Sequence, residues 1–208
     1  MTDTKLSTEA KVELIKEKAK MSRLETIRLI SKAKSGHYGS SFSSSEIFAT
    51  LYYHVMNYDT ENHRWKSRDR FVMGKGHSAV GVYSILADVG FFPQEELDTY
   101  TDLGSAFGDH PDMNKIKGID FGSGSIGHGL SVGVGMSLGA RLDNEDYRSF
   151  ILMGDGEMQE GQVWEAAMSA SSFKLGNLVG IVDNNKVTVD GHTHEMMNID
   201  PLKEKWES

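Results

Sequence analysis

Apolar positions near the start of the chain recur every three to four residues. Over residues 7–34 this spacing predicts an amphipathic helix that ends at Ser35-Gly36. The segment Ser43-Ser44-Ser45-Glu46 has the form of a capping box and predicts a second helix over 47–56. A third helix is expected over 78–89. The first part of the chain is therefore predicted to be mostly helical.

Short apolar runs that stop at polar or glycine-rich loops predict buried strands. Such runs occupy 70–73, 149–153 and 178–182, and a helix from about Glu160 to Lys174 separates the last two. Strand, helix and strand in this order form a βαβ unit, whose strands are parallel and whose crossover is right-handed. The fold class is therefore α/β, a parallel sheet flanked by helices. We expect residues 1–208 to form a single domain.

Small residues dominate the stretch FGSGSIGHGLSVGVGMSLGA at 121–140. A helix over 127–142 is possible despite the glycines only if another element packs very close to it. The segment Gly122–Gly127 also fits the dinucleotide pattern GxGxxG, with Asp143 downstream. The preceding residues are too polar for the buried strand that a nicotinamide site requires. The histidines of His192-Thr-His194 lie in a polar loop, and we assign them no metal.

Charge and composition exclude several classes of function. The 208 residues carry a net charge of −8, which argues against nucleic acid or an anionic membrane as the main partner. The sequence has no cysteine, so it has no disulfide, thiolate metal site or cysteine nucleophile. No apolar run approaches the ~20 residues of a membrane-spanning helix. The N-terminal residues lack the pattern of a signal peptide, so we expect a cytoplasmic location.

Polar residues directly follow two of the predicted strands. Asp155 lies between two glycines after strand 149–153, and Asn184-Asn185 follows strand 178–182. Neighbouring parallel strands lie ~4.8 Å apart and end at the same edge of a sheet, so both loops can reach one ion. A carboxylate, an amide and a backbone carbonyl suit Mg²⁺, which takes further ligands from water and phosphates. The alternative, in which Asp155 only caps a helix, does not account for the strands, the spacing and the asparagines together.

These residues also form a familiar motif. GDG, a gap of 27 residues and then NN resembles the motif of thiamine-diphosphate enzymes. The stretch from Gly154 to Gly191 is similar to the diphosphate-binding domain of transketolases. Further landmarks of that family occur in order, namely SGHYGSS (35–41), DRFVMGKGHSAVGVYSIL (69–86), GDHPD (108–112) and SGSIGHGLSVGVGMSLGARL (123–142). The resemblance covers nearly the whole chain and implies the thiamine-diphosphate-binding fold.

The resemblance implies two cofactors, thiamine diphosphate and Mg²⁺. The implied metal ligands are the side chains of Asp155 and Asn185 and the backbone carbonyl of Val187. The implied cofactor-binding residues, beyond Asp155 and Asn185, are His77, Gly124, Ser125, Ile126, Gly154, Gly156 and Glu157. Among these, the segment Gly124–Ile126 is expected to line the central ring of the cofactor.

The resemblance also implies catalytic roles for His37, His77, His110 and Glu160. His37 and His110 are expected near the sugar hydroxyls, and His77 near the diphosphate. Groups that titrate near neutrality suit a reaction that deprotonates a hydroxyl and reprotonates an aldehyde. Glu160 is expected at a subunit contact, with Glu165 in the same network. The alternative for Glu160 is an exposed glutamate in the first turn of a helix, where the dipole favours it.

The implied activity is transfer of a two-carbon ketol unit from a ketose or ketose phosphate to an aldose or aldose phosphate. The family's pyrimidine-binding domain is not in this sequence, so we expect a C-terminal partner subunit in an α2β2 heterotetramer. We also expect further sheet strands beyond Ser208, so that the domain is short at its C-terminus and exposes apolar surface. Helix 127–142 is expected to pack against the other half.

Departures from the family pattern leave the ketose donor open. Tyr38 replaces the usual proline, and Ser125 and His128 replace the usual proline and glutamine of a cofactor-lining loop. Two alternatives also stay open. One is another thiamine-diphosphate enzyme, such as a 2-oxo acid dehydrogenase component or a deoxyxylulose-phosphate synthase type, although the SGH and GDHP landmarks favour a transketolase. The other is a non-catalytic subunit for cofactor binding or assembly.

Overall fold

A sheet of three parallel strands forms the centre of the computed structural model, which describes residues 6–208. The strands are β1 (Arg70–Met73), β2 (Ser149–Gly154) and β3 (Leu178–Asp183), with β2 in the middle. Both pairings are parallel, as the βαβ pattern predicts. The predicted strands and the α/β class are thus confirmed.

Helices connect and flank the strands. They are α1 (Thr8–Ala33), α2 (Tyr38–Thr50), α3 (Ala79–Asp88), α4 (Gly129–Asp143), α5 (Gly161–Ser172), α6 (Thr193–Met196) and α7 (Leu202–Glu207). The first helix matches its prediction, because the Ser7 hydroxyl caps its N-terminus and Lys34 ends it in a left-handed conformation. Within residues 6–208, no helix has both the length and the apolar character needed to cross a bilayer.

The strand side chains alternate between two hydrophobic cores. Phe71 and Phe150 point to the core built with α1, α2 and α3, whereas Val72, Ile151 and Met153 point to the core built with α4, α5 and α7. Because both faces of the sheet are covered, the strands are apolar throughout, as is usual for a parallel sheet. The polar residues that follow the strands are consequently left at the sheet's edge.

The prediction that a capping box at residues 43–46 starts the second helix is wrong. Helix α2 begins at Tyr38 and runs through these serines, and a π-helical turn follows at Leu51–Val55. The hydroxyls of Ser44 and Ser45 donate to backbone carbonyls one turn earlier, at 2.9 Å in both cases. The serines form a small, buried face against the neighbouring helices, so their sequence pattern reflects close packing and not a helix start.

Glycines in α4 allow that helix to lie very close to the sheet. A Cβ atom on Gly129 would lie 2.9 Å from the Cα of Gly74, and one on Gly133 would lie 2.4 Å from the Cδ1 of Ile151. The close neighbour that a helix of small residues requires is therefore the chain's own sheet. The expected packing of this helix against another protein chain stays a prediction, and it concerns the face opposite these two glycines.

The outer edge of β3 is open in the described part of the chain. β3 pairs only with β2, and its apolar residues are less buried than those of the central strand. Several large apolar side chains outside the sheet are also exposed, among them Met168, Phe173 and Val189. Exposed apolar side chains, as expected from the sequence, are thus present in the described part of the chain.

The packing of α4 predicts opposite effects for two glycine-to-alanine changes in one helix. Gly133→Ala forces a methyl group into Ile151 and should lower the free energy of unfolding by about 1–3 kcal/mol. Gly135→Ala is the matched control, because no atom lies within 4 Å of its added Cβ. That change should raise stability by about 0.5–1 kcal/mol. Urea unfolding of both variants measures the difference, and equal effects would contradict the packing described.

Candidate functional site

Three loops meet at the carboxyl edge of the sheet. Residues 74–77 follow β1, residues 155–157 follow β2 and residues 184–187 follow β3. Gly154 pairs with Asp183 in the sheet, and the Asp155 N–H donates to the Asp183 carbonyl at 3.1 Å. The strand pairing therefore brings the Asp155 and Asn185 loops together, as the sequence predicts.

Asp155 is the best-buried carboxylate of this edge, with 1% of its surface exposed. One oxygen accepts the Gly156 N–H at 3.0 Å and caps the short 3₁₀ turn over Gly156–Gln159. The other oxygen accepts the Lys186 N–H at 2.8 Å, across from the next loop. No ion pair among residues 6–208 includes Asp155. Its negative charge is thus held by backbone amides and by the Thr193 hydroxyl at 3.4 Å, with no cation of residues 6–208 at ion-pair distance.

The Asn185 loop presents further oxygen atoms beside Asp155. The Asn185 Oδ1 accepts the Val187 N–H at 2.9 Å, and the preceding N–H, that of Lys186, donates to Asp155. Two consecutive backbone amides therefore fix this turn. Lys186, between them, has a positive φ of 69°. An acidic oxygen, an amide oxygen and the carbonyls of a tight turn are the donors that a hard cation such as Mg²⁺ prefers. The residues present therefore fit the metal that the resemblance implies.

Gly156 stands where two loops touch. A Cβ atom at this position would lie 2.9 Å from the Cγ2 of Thr188. A larger residue would push the turn after β3 away from Asp155. The glycine beside the carboxylate thus keeps the two halves of the oxygen cluster together.

Glu157, a predicted cofactor-binding residue, holds two segments of the chain together. Its carboxylate is buried and accepts the N–H groups of Gly127 at 2.8 Å and Gly154 at 3.1 Å. Burial raises the pKa of Glu157, although these two amide bonds oppose the rise. Glu157 therefore joins the loop before α4 to the end of β2, and its direct contact with the cofactor stays a prediction.

A buried ion pair between Lys75 and Asp183 was not found from the sequence. Both residues are almost fully buried, and Ser43 donates to the same Asp183 oxygen at 2.6 Å. Burial disfavours the charged carboxylate, but the hydrogen bonds from Lys75 and Ser43 hold the pKa of Asp183 below its usual range. The available signals were a lysine between two glycines after β1 and an aspartate that ends β3.

Two of the predicted histidines are in contact beside the carboxyl edge of the sheet. The rings of His37 and His77 lie edge to face with their centroids 5.3 Å apart. His37 is exposed and His77 half-buried. Burial, helped by the charge of Lys75 and by the other two histidines, lowers the pKa of His77 to about 4. His77 is therefore a neutral imidazole at pH 7 when no ligand is bound.

The loop that carries Gly124, Ser125 and Ile126 lies beside these histidines. A Cβ atom on Gly76 would come within 2.7 Å of the Ser123 Oγ, so the loop after β1 packs directly on this segment. A Cβ atom on Gly124 would lie 3.9 Å from the Cδ2 of His110. The three histidines and the predicted ring-lining segment are thus grouped around one opening.

Glu160 lies on the rim of the same region. Its side chain is exposed, and a Cβ atom on Gly127 would touch it at 2.8 Å. It therefore neighbours the predicted cofactor-lining loop. Its role at a subunit contact, like that of Glu165, stays a prediction.

Comparisons with known proteins agree on one family. Residues 15–208 match the family model described as transketolase, thiamine diphosphate binding domain. The chain is 38% identical over 195 residues to one of the subunits of the apulose-4-phosphate transketolase from Phocaeicola vulgatus, covering 94% of this chain and 69% of that protein. It is 41% identical over 192 residues to the 6-deoxy-6-sulfo-D-fructose transketolase subunit SqwG of a Clostridium species, covering 92% of this chain and 70% of that protein.

Solved structures show the same likeness. The transketolase of Campylobacter jejuni superposes with a TM-score of 0.87 at 28% identity, over 94% of this chain. The match takes up 32% of the Campylobacter chain. The chain described here thus spans about a third of the length of a solved transketolase to which it is similar.

Burial of His77 predicts a particular dependence of stability on pH. The pKa of His77 falls from 6.5 to about 4 on folding, so the unfolded chain takes up the proton first. The contribution of His77 to stability is complete above pH 6.5 and is lost as the pH falls towards 4. His77→Asn should therefore show a shallower loss of unfolding free energy over this range than the wild type. Urea titrations at several pH values test this, and parallel curves would refute it.

Proposed function

This chain belongs to the transketolase family, and we propose that it binds thiamine diphosphate and Mg²⁺ at the carboxyl edge of its sheet. We further propose that it supports transfer of a two-carbon ketol unit from a ketose or ketose phosphate to an aldose or aldose phosphate. The observation that supports the proposal most strongly is the buried Asp155 carboxylate without an ion-pair partner among residues 6–208, which faces the Asn185–Val187 turn.

Oxygen atoms of this edge would hold the metal. Asp155 and Asn185 would contribute their side chains and Val187 its backbone carbonyl. The Asp155 carboxylate would be the anionic ligand of the set, because it lies against the turn that carries Asn185 and Val187, whereas Asp183 already pairs with Lys75. A buried anion next to a divalent cation is stabilised, whereas the same anion alone carries a desolvation cost.

Thiamine diphosphate supplies, when bound, the carbon nucleophile and the electron sink that C–C bond cleavage needs. The chain's own groups would orient it. Gly154 and Gly156 leave the backbone open for the diphosphate, and His77 stands beside Lys75 at the same edge. Binding of the negatively charged diphosphate next to His77 would raise its pKa again, which would strengthen a hydrogen bond from the imidazole.

His37 and His110 would serve the sugar substrate. Both are exposed at the opening beside Gly124, so they can reach hydroxyl groups of a ligand that enters from solvent. An imidazole can accept the proton of a sugar hydroxyl and return it to an aldehyde oxygen at the pH of the cell. We assign these two residues to that proton exchange.

A second subunit would complete the active site. The similar proteins from Phocaeicola and Clostridium are named as transketolase subunits, and the solved transketolase that matches is about three times as long as this chain. We propose a C-terminal subunit that carries the pyrimidine-binding domain, in an α2β2 assembly with Glu160 at the contact. Tyr38, Ser125 and His128 depart from the family pattern around the donor and leave the particular ketose to be determined.

Removal of the Asp155 charge tests the metal assignment. Asp155→Asn keeps the size of the side chain but removes the anionic ligand, so Mg²⁺-dependent binding of thiamine diphosphate should weaken by more than ~100-fold, beyond the loss typical of outer-shell partners. Isothermal titration of thiamine diphosphate with and without Mg²⁺ measures this. Asp190→Asn, an equal change of charge in an exposed part of the neighbouring turn, is the control and should bind like the wild type. Equal binding by both variants would refute the assignment.

Activity is tested by purifying the natural complex. We expect a second chain to co-purify, and the pair to transfer a ketol unit in a panel of ketose donors and aldose acceptors. Each chain alone should be inactive. Absence of transfer with every donor, while cofactor binding persists, would favour a non-catalytic subunit.

A further inference from the structure

We propose that Asp183 is a positioning residue that orients the side-chain amide of Asn185, so that the amide oxygen faces the metal position. This inference rests on the proposed function, since the metal is the one proposed there. Asp183 does not contact the metal position itself. It acts on Asn185 from the opposite side.

Asp183 accepts hydrogen bonds from three parts of the fold. Its Oδ2 accepts from Ser43 Oγ at 2.6 Å and Ser44 Oγ at 3.3 Å, both on α2, and from the Lys75 ammonium after β1. The same oxygen accepts from the Asn185 Nδ2 at 3.3 Å, two residues further along the chain. Asp183 is only 7% exposed, so this group of donors is enclosed by protein.

The chemistry of a carboxylate decides which end of the Asn185 amide turns towards it. Every contact of the Asp183 Oδ2 given above comes from a donor, so this oxygen acts as an acceptor. The NH₂ end of Asn185 must therefore face Asp183, and the oxygen end must face the other way. Ser43 supports this choice, since its hydroxyl gives its proton to Asp183 and accepts from the Asn185 Nδ2 at 3.4 Å.

The oxygen end of Asn185 is consequently turned away from Asp183 and Ser43. Its Oδ1 accepts one hydrogen bond, from the Val187 N–H at 2.9 Å. An amide oxygen has two lone pairs, so one remains for a cation. If the amide were free to rotate, it would spend part of its time with the NH₂ group towards the cation, where it repels the charge. Asp183 removes this unproductive orientation before the metal arrives.

The test compares two isosteric changes in the full chain. Asp183→Asn keeps the shape of the side chain but lets it donate as well as accept, so only the Val187 N–H still holds the orientation of Asn185. Mg²⁺ is titrated by calorimetry in the presence of saturating thiamine diphosphate. We expect Asp183→Asn to weaken Mg²⁺ binding by about 10–100-fold, the loss typical of residues that orient metal ligands.

Asp69→Asn is the matched control. Asp69 is also a buried carboxylate, with an ion pair to Arg148 and bonds from backbone amides, but it lies before β1 at the opposite end of the sheet. The Asp69→Asn variant should lose stability, as Asp183→Asn does, but its Mg²⁺ affinity should stay within about 3-fold of that of the wild type. A loss of affinity that is equal in both variants would show a general structural effect and overturn the positioning role.

A readout without cofactor separates this proposal from the proposed function. In ¹⁵N-labelled wild-type chain, the two side-chain amide protons of Asn185 should exchange slowly with solvent and show distinct shifts. In Asp183→Asn this protection should be lost, whereas Asp69→Asn should retain it. Protection of Asn185 that is unchanged in Asp183→Asn would overturn the proposal, whatever the chain binds.

The outcomes can be told apart. If wild type binds no Mg²⁺ with thiamine diphosphate, the proposed function fails. If wild type binds Mg²⁺ and Asp183→Asn binds it equally well, the positioning role fails alone. Should Asp183→Asn not fold, Ser43→Ala replaces it, because it removes one acceptor of the Asn185 NH₂ group. We expect a several-fold loss of Mg²⁺ affinity there, and no loss would again overturn the proposal.

Discussion

Burial of the Asp155 carboxylate is the constraint on which the site depends. A charge removed from water is costly unless amides or a cation compensate for it. Here the compensation comes from the Gly156 and Lys186 N–H groups, which belong to loops after two neighbouring strands. The carboxylate therefore fixes one loop against the other. It also leaves a negative charge at the sheet's edge that no side chain of residues 6–208 neutralises at ion-pair distance.

Other buried charged side chains lie at the same edge of the sheet as the Asp155 carboxylate. Lys75 and Asp183 neutralise each other, and Glu157 holds the Gly127 and Gly154 amides. Each of them joins separate segments, so the loops at the edge are tied together by polar contacts although the sheet beneath them is apolar. Order of this kind would let the edge receive the proposed metal and diphosphate with little rearrangement, which favours tight binding.

Much of the fold could be predicted because it follows from local patterns. The three strands are short apolar runs that end in glycine or polar residues, and α1 has a regular apolar period and clear caps. The start of α2 could not be predicted from its serines, because a buried small-residue face and a capping box look alike in sequence. The role of the α4 glycines depends on what lies opposite them, namely Gly74 and Ile151, and no local pattern contains that information.

In the site, too, features that follow from local sequence patterns could be predicted, and features that depend on distant residues could not. The juxtaposition of the Asp155 and Asn185 loops could be predicted, since both follow strands of one βαβ unit. The Lys75–Asp183 pair joins residues 108 positions apart, so only the folded sheet reveals it. The histidines were assigned through resemblance to a family. The structure then adds that His37 and His77 are in contact and that burial lowers the pKa of His77.

A single crystallographic measurement tests the central claim, that this sheet edge is a metal–diphosphate site. Crystals of the chain grown with thiamine diphosphate and Mn²⁺ in place of Mg²⁺ would locate the metal by its anomalous scattering. We predict one strong peak within bonding distance of the Asp155 carboxylate, the Asn185 Oδ1 and the Val187 carbonyl. Bound thiamine diphosphate with its metal elsewhere, or with no peak between these three groups, would contradict the claim.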